Sequence, residues 1–369
     1  MAELDGTTLE LDLSALEHNY KFFRSKIREE TKFLAVVKAF AYGSDMQAIA
    51  KKLEALGVDC LAVAYAREGL SLREAGIGIP ILVLHPLQAN FGEMIRGQLE
   101  PCLYSPKVLG EFLKKAEALG TREYPIHIKL NTGLNRLGFS HGHIHLLSNS
   151  LKGNRNVGVV SVFSHLAASE DLSQAQFSLG QIGDFEKMAA ELAQNLGHAP
   201  IRHMLNSSGI LNYPEAQFEM VRSGIGLYGY GNDPTVDAVL RPVATLRTII
   251  SQIHEIGPGQ SVGYNRGFTA KGHIRTATLP LGHADGIGRQ YGKGRASVLI
   301  GGKRAPIIGN VCMDMIMVDV SGIDCEEGDG AVVFGPDNSA ENFASTAGTI
   351  SYEILTAISQ RVKRRILGD

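Results

Sequence analysis

Lys38 stands directly after the apolar run Phe33-Leu34-Ala35-Val36-Val37. An ammonium group closing such a run must reach a partner or water, because unpaired burial is costly. A lysine so placed can hold an aldehyde cofactor as a Schiff base and later act as a base. The ordinary alternative is a strand-terminal lysine that snorkels to solvent. Other polar residues that are expensive to bury repeat the pattern. Tyr42 comes shortly after Lys38, and Lys129 with the loop Asn131-Thr132-Gly133-Leu134-Asn135-Arg136 follows another apolar run. His165 follows Val162-Phe163-Ser164, His203 lies just before Asn206-Ser207, and Arg222 leads into Ser223-Gly224-Ile225. Cations and hydroxyls gathered at strand ends are the material of an anion site. Ser207 and the backbone N–H groups near Gly224 and Ile225 suit a phosphate, with glycine letting the backbone come close.

These residues need a scaffold that brings strand ends to one place. Candidate strands fall at 33–37, 60–64, 80–84, 100–104, 125–130, 157–163, 201–205 and 218–222, with helical periodicity between them at 45–56, 65–75, 106–119 and 173–196. Eight βα units in roughly 200–250 residues is the size of a TIM-like β/α barrel, whose active site lies at the C-terminal ends of the strands. No Gly-x-Gly-x-x-Gly turn follows the first strand, so a dinucleotide fold and a dehydrogenase are disfavoured. From about Pro234 the texture becomes β-rich, at 243–253, 274–279, 296–300 and 331–334, with Gly, Pro and Asn turns. That predicts a mainly antiparallel β domain, closed by a helix over 351–362. The alternating segment 8–13 is expected to pair with it and bring the chain ends together. The expected division is a barrel at 10–233 and a β domain made of 1–9 and 234–369.

A chain of 369 residues is long enough for two such domains. Lys and Arg number 36 against 38 Asp and Glu, a formal charge of −2 without a basic run, which argues against nucleic acid as a partner. No apolar stretch approaches a membrane span, and Met1-Ala2-Glu3-Leu4-Asp5 is acidic where a secretion signal would be basic. The four cysteines are scattered, with no Cys-x-x-Cys pair; they suit a reducing cytoplasm, and no metal site is expected.

The motifs together resemble those of the alanine racemases, which are pyridoxal-phosphate enzymes. The resemblance rests on Ala35-Val36-Val37-Lys38-Ala39-Phe40-Ala41-Tyr42-Gly43, Lys129-Leu130-Asn131-Thr132-Gly133-Leu134-Asn135-Arg136-Leu137-Gly138, His203-Met204-Leu205-Asn206-Ser207 and Val221-Arg222-Ser223-Gly224-Ile225. In the C-terminal part it continues through Val262-Gly263-Tyr264, Gly282-His283-Ala284-Asp285-Gly286, Val311-Cys312-Met313-Asp314 and Tyr352. Phe40, Ser44, Asn131, His283 and Asn310 depart from the family's usual residues.

The resemblance implies a homodimer that interconverts L- and D-alanine on pyridoxal 5'-phosphate by a two-base mechanism, supplying D-alanine for peptidoglycan. Lys38 would carry the cofactor and serve as one base. Tyr264, together with Met313, would come from the partner subunit and act on the opposite face. His165, Arg222 and His203 would form a relay behind Tyr264, with Arg222 facing the pyridine nitrogen. Tyr42, Tyr352, Asn206, Ser207, Gly224 and Ile225 would hold the cofactor. Arg136 would take the substrate carboxylate beside Lys129, which in the family can be carbamylated. Alternatives are a racemase of broader specificity, a pyridoxal-phosphate amino-acid decarboxylase, which would want a carboxylate where Arg222 stands, and a non-catalytic cofactor-binding protein.

Overall fold

The computed structural model describes residues 6–368. Residues 1–5, the acidic start just noted, and Asp369 lie outside them, with their share of the expected domain division. Strand β1 (Thr8–Asp12) runs into the helix Leu13–Arg24, whose N-cap Asp12 accepts from the Ser14 and Ala15 N–H groups. Eight parallel strands follow: β2 (Lys32–Val36), β3 (Cys60–Val63), β4 (Ile81–Val83), β5 (Glu100–Leu103), β6 (Tyr124–Lys129), β7 (Val157–Phe163), β8 (Ile201–His203) and β9 (Met220–Ser223). β9 pairs with β2 and closes the barrel.

Period-two alternation sorts the strand residues. Leu34, Cys60, Ala62, Leu82, Cys102, Phe163 and Met220 fill the interior. Phe33, Ala35, Val37, Ile126, Ile128 and Val162 face the surrounding helices. On β6 the same alternation turns His127 and Lys129 inward, so polar side chains share the interior with apolar ones.

The remaining strands are β10 (Ala244–Ile249), β11 (Gln252–Ile256), β12 (Ser261–Val262), β13 (Phe268–Thr269), β14 (Ile274–Leu279), β15 (Ser297–Ile300), β16 (Lys303–Ile308), β17 (Ile316–Asp319), β18 (Gly330–Phe334) and β19 (Lys363–Leu367). Nine strands form one sheet in the order β11-β14-β17-β16-β15-β18-β10-β1-β19, and β12 and β13 make a separate ribbon. β1 pairs antiparallel with β10 and parallel with β19, so the two ends of the chain lie side by side.

Two elements differ from expectation. The strand over 243–253 is two strands, because the chain changes partner at the corner: Ile250 N–H bonds to Asp329 O and Ser251 N–H to Thr278 O. The helix over 351–362 stops at Ala357 and gives way to β19. There the Arg364 guanidinium gathers the carbonyls of Ile358 and Val362, so carbonyls that a longer helix would use are satisfied by a side chain.

Candidate active site

Lys38 sits half-buried at the barrel mouth, one residue past Val37. Ala39, Phe40, Ala41 and Tyr42 then all have φ between 53° and 55°, a left-handed turn without glycine. Each such residue costs about 1–2 kcal/mol, so the turn must be held by its surroundings. Glu68 fastens one side: its Oε1 accepts from Ala39 N–H (2.6 Å) and its Oε2 from Ala64 and Tyr65 N–H (2.7 and 3.1 Å). Gly43 (φ 78°) closes the other side, where a Cβ would lie 2.0 Å from Leu355 O, and its carbonyl accepts from Arg364. The turn swings Tyr42 inward, its ring 4.5 Å from Tyr228 and 6.0 Å from Tyr352.

A cavity of about 640 Å³ opens beside Lys38. Lys38, Lys129, Arg136 and Arg222 line it, and among the described residues no Asp or Glu does. The charges leave their mark on the titrating groups. Burial, then Arg136, lowers the Lys38 pKa. Burial, reinforced by Arg222, Arg136 and Lys38, pushes Lys129 down to about 8. Burial and the nearby cations hold His165 well below the usual histidine range, so it is neutral. Phe163 gives the cations a π face, with Lys129 Nζ and Arg222 Cζ each 5.3 Å from its centroid.

Across the cavity, Ser207 Oγ accepts from Gly224 and Gly226 N–H, both at 3.2 Å, and organises the turn after β9. Tyr42 Oη comes so near that a Cβ on Gly224 would stand 2.3 Å from it. Ile225, Asn206 and Tyr352 complete this wall. Asn206 Oδ1 also caps the following short helix through Gly209 N–H. Asn131 explains itself structurally: its side chain accepts from Asn135 N–H and donates to Asn135 Oδ1, shaping the loop that presents Arg136.

Not every residue expected at the site lines this cavity. His203 lies behind it, fully buried, its ring stacked on Phe163 at 4.7 Å. Arg222 joins the two imidazoles, Nη1 donating to His203 Nδ1 (2.7 Å) and Nη2 to His165 Nδ1 (3.1 Å). Burial keeps His203 neutral as well, so the cation in the expected relay is Arg222 alone. Tyr264 and Met313 are on the β domain, 74% and 59% exposed, outside the cavity of their own chain. Their loops are held firmly: Arg361 pairs with Asp285 and Asp314 at 2.7 Å each, and His283 N–H bonds to Cys312 O. Asn310 Nδ2 donates to Tyr264 O (2.9 Å). These acids of the Gly-His-Ala-Asp-Gly and Val-Cys-Met-Asp motifs are therefore structural.

Sequence reasoning did not single out Glu68, Phe163, His127 or Ser161. Nor did it single out Tyr65 and His85, which line the cavity with ring centroids 5.6 Å apart, or Tyr104, stacked on His85 at 5.8 Å. The available signal was a histidine inside an apolar strand, Ile126-His127-Ile128. Its partners are far away in the chain.

A closed β/α barrel with a lysine at the first strand end, a cationic cavity and an appended antiparallel domain defines a class of two-domain proteins built to hold a phosphorylated ligand beside an amine. The family models for the alanine racemase N-terminal and C-terminal domains match residues 11–232 and 243–366, and the chain belongs to the alanine racemase family. The alanine racemase of Methanococcus maripaludis is 34% identical over 366 residues, covering 96% of this chain and 97% of that one. The structure of Clostridium difficile alanine racemase superposes with a TM-score of 0.92 at 32% identity, over 99% of this chain and 97% of that one. A Bartonella henselae alanine racemase with covalently bound pyridoxal phosphate gives 0.89 at 27% identity, over 99% of this chain and 100% of that one. The family depends on pyridoxal phosphate, and the residues here fit that group. An amine with a lowered pKa, one of four cationic side chains lining the cavity, faces a hydroxyl and backbone wall, and no carboxylate of the described residues joins that lining.

Proposed function

We propose that this chain is an isomerase that interconverts L- and D-alanine with pyridoxal 5'-phosphate, furnishing D-alanine for peptidoglycan. The observation that carries the reading is the cavity whose lining, among the described residues, has four cations and no carboxylate, with Lys38 at one wall and the Ser207–Gly224 turn at the other. Two of the four, Lys129 and Arg222, are buried; clustering such charges is costly, and a phosphate with a substrate carboxylate offsets it. The same lining speaks against a decarboxylase that needs an acid at the pyridine nitrogen.

Pyridoxal phosphate, when bound, supplies the electron-withdrawing ring that acidifies the substrate Cα–H. Lys38 Nζ would hold it covalently and then take or return the Cα proton on one face; its lowered pKa leaves more free amine near neutral pH. Tyr264 of the partner subunit works on the other face, with Met313 beside the substrate. Because His165 Nδ1 accepts from Arg222, its Nε2 carries the hydrogen, and that N–H can stabilise a phenolate. Tyr42, Tyr352, Ser207, Gly224 and Ile225 would hold the phosphate, with Asn206 shaping that wall. Arg222 would face the ring nitrogen without giving up its proton. Arg136 forks onto the substrate carboxylate, and a carbamate on Lys129 orients it.

In this reading residues 10–233 are the cofactor-binding barrel, while 1–9 and 234–369 complete the site of the other subunit of a homodimer. Setting: the four cysteines are free thiols, and among the described residues no helix is long and apolar enough to cross a membrane. The proposed place of work is the cytoplasm. The deciding experiment is chiral analysis of the pyridoxal-phosphate-loaded protein after incubation with L-alanine, with L-serine in parallel. Formation of D-alanine up to a one-to-one mixture is expected. Loss of L-alanine as ethylamine, or no change, would overturn the assignment.

A further inference from the structure

Five polar side chains climb the barrel interior, one from each of five consecutive strands. Arg222 on β9 donates from Nη1 to His203 Nδ1 on β8 (2.7 Å). His203 Nε2 meets Ser161 Oγ on β7 (2.9 Å), and that oxygen meets His127 Nδ1 on β6 (2.6 Å). His127 Nε2 ends the series on Glu100 Oε2 on β5 (2.7 Å). The opposite half of the interior, on β2 to β4, is apolar: Leu34, Cys60, Ala62 and Leu82.

The two ends dictate the direction of the outer bonds. A guanidinium only donates and a carboxylate only accepts. Hence His203 Nδ1 accepts and its Nε2–H donates to Ser161, while His127 Nε2–H donates to Glu100. With a neutral His127 the serine hydroxyl donates to His127 Nδ1, and the chain runs one way. A β-bulge makes the contact possible: the β6–β7 register passes from Ile126 opposite Val159 to His127 opposite Ser161, skipping Val160. Without that extra residue His127 would face Val160, which points outward and is exposed. Bulges that re-aim a side chain gather near active sites.

At the upper end the chain fixes the guanidinium. Nη1 is held by His203, and Nη2 by Ser164 O, Met204 O and His165 Nδ1. Among the described residues Nε–H and the second Nη1–H have no protein acceptor, which leaves two donors to face a ligand. We propose that Glu100, His127 and Ser161 are positioning residues, whose one-way hydrogen-bond chain locks His203 in its Nε2–H tautomer and thereby sets the orientation of Arg222 at the cofactor site. The inference rests on the reading of Arg222 as the residue facing the cofactor ring. A merely structural ladder would satisfy the same buried groups without affecting Arg222.

The test joins ¹⁵N-imidazole NMR of the full-length protein, with and without pyridoxal phosphate, to kinetics of Ser161→Ala and Ser161→Thr. The His203 signals are identified by their absence from His203→Asn. Wild type should show His203 neutral in the Nε2–H tautomer. In Ser161→Ala those signals should shift toward a tautomer mixture. Its kcat should fall about tenfold, the size of one buried hydrogen bond felt at the transition state, with KM changed less than about twofold. Ser161→Thr, which keeps the hydroxyl, should restore both. A wild-type His203 in the Nδ1–H tautomer would overturn the proposal even if Ser161→Ala did not fold. So would a folded Ser161→Ala with unchanged signals and unchanged kcat. If the wild type racemised nothing, the functional reading would fail while the imidazole signals still judged the chain.

Discussion

Lys129 shows how much a single residue's surroundings decide. Buried beside Arg222, Arg136 and Lys38, it is pushed down to about 8, toward the neutral amine that attacks carbon dioxide. The sign of its effect on stability follows. Between about pH 8 and the ordinary lysine range near 10.4 the unfolded chain keeps this proton and the folded one has lost it. Unfolding therefore binds a proton there, and stability rises with pH; below pH 8 both states are protonated and the slope disappears. In buffer freed of carbon dioxide, urea unfolding of wild type should gain stability between pH 8 and 10 relative to Lys129→Met. Added ¹³C-bicarbonate should give a carbamate signal that the variant lacks. At the same scale, Tyr264→Phe should lower kcat about 10²–10⁴-fold, as expected for loss of a general acid–base group, while cofactor absorbance is retained. A variant racemising at the wild-type rate in both directions would remove Tyr264 from the chemistry. Most cavity residues were legible because a charged or hydroxyl group right after an apolar run is conspicuous. Glu100, His127 and Ser161 were not, because their partners lie on neighbouring strands 27 and 34 residues apart in sequence.

At the scale of elements, the left-handed turn after Lys38 is the least expected feature. Lys-Ala-Phe-Ala-Tyr holds ordinary helix formers, and only Gly43 hints at positive φ; what imposes the turn is Glu68 on one side and the helix Ser351–Ala357 on the other. Glu68→Ala removes the acceptor of three backbone N–H groups, two of them in the loop after β3. It should lower the unfolding free energy by about 1.5–3 kcal/mol, the range for hydrogen bonds to a charged group. It should also weaken pyridoxal-phosphate binding, measured by equilibrium titration; an unchanged affinity would mean that the turn holds Lys38 without this anchor. The eight barrel strands were legible from the apolar runs to within a residue or two, while β16, β17 and β19 of the second domain were not singled out. The β6–β7 bulge and the corner between β10 and β11 were not, since both depend on which strand becomes the neighbour.

At the scale of the molecule, the eight-fold alternation and the β-rich remainder made the two-part architecture legible. The sequence pattern alone could not place Tyr264 relative to Lys38. The fold holds Tyr264 on a well-fastened loop of the β domain, 74% exposed and away from the cavity of its own barrel. Exposed Tyr264, and Met313 and Met315 on a second loop tied to it through Asn310, are costly to leave in water unless another surface covers them. If a second copy does so in a closed two-fold dimer, each site takes Lys38 from one subunit and Tyr264 from the other. Lys38→Ala and Tyr264→Phe homodimers should then each be inactive, for different reasons. After subunit exchange, half of the dimers are hybrids in which one site has both defects and the other has none. Activity should rise to about one quarter of wild type. If both groups act within one chain, no mixture regains activity at any ratio, so the mixing experiment separates the two arrangements without resting on the stability of an isolated monomer.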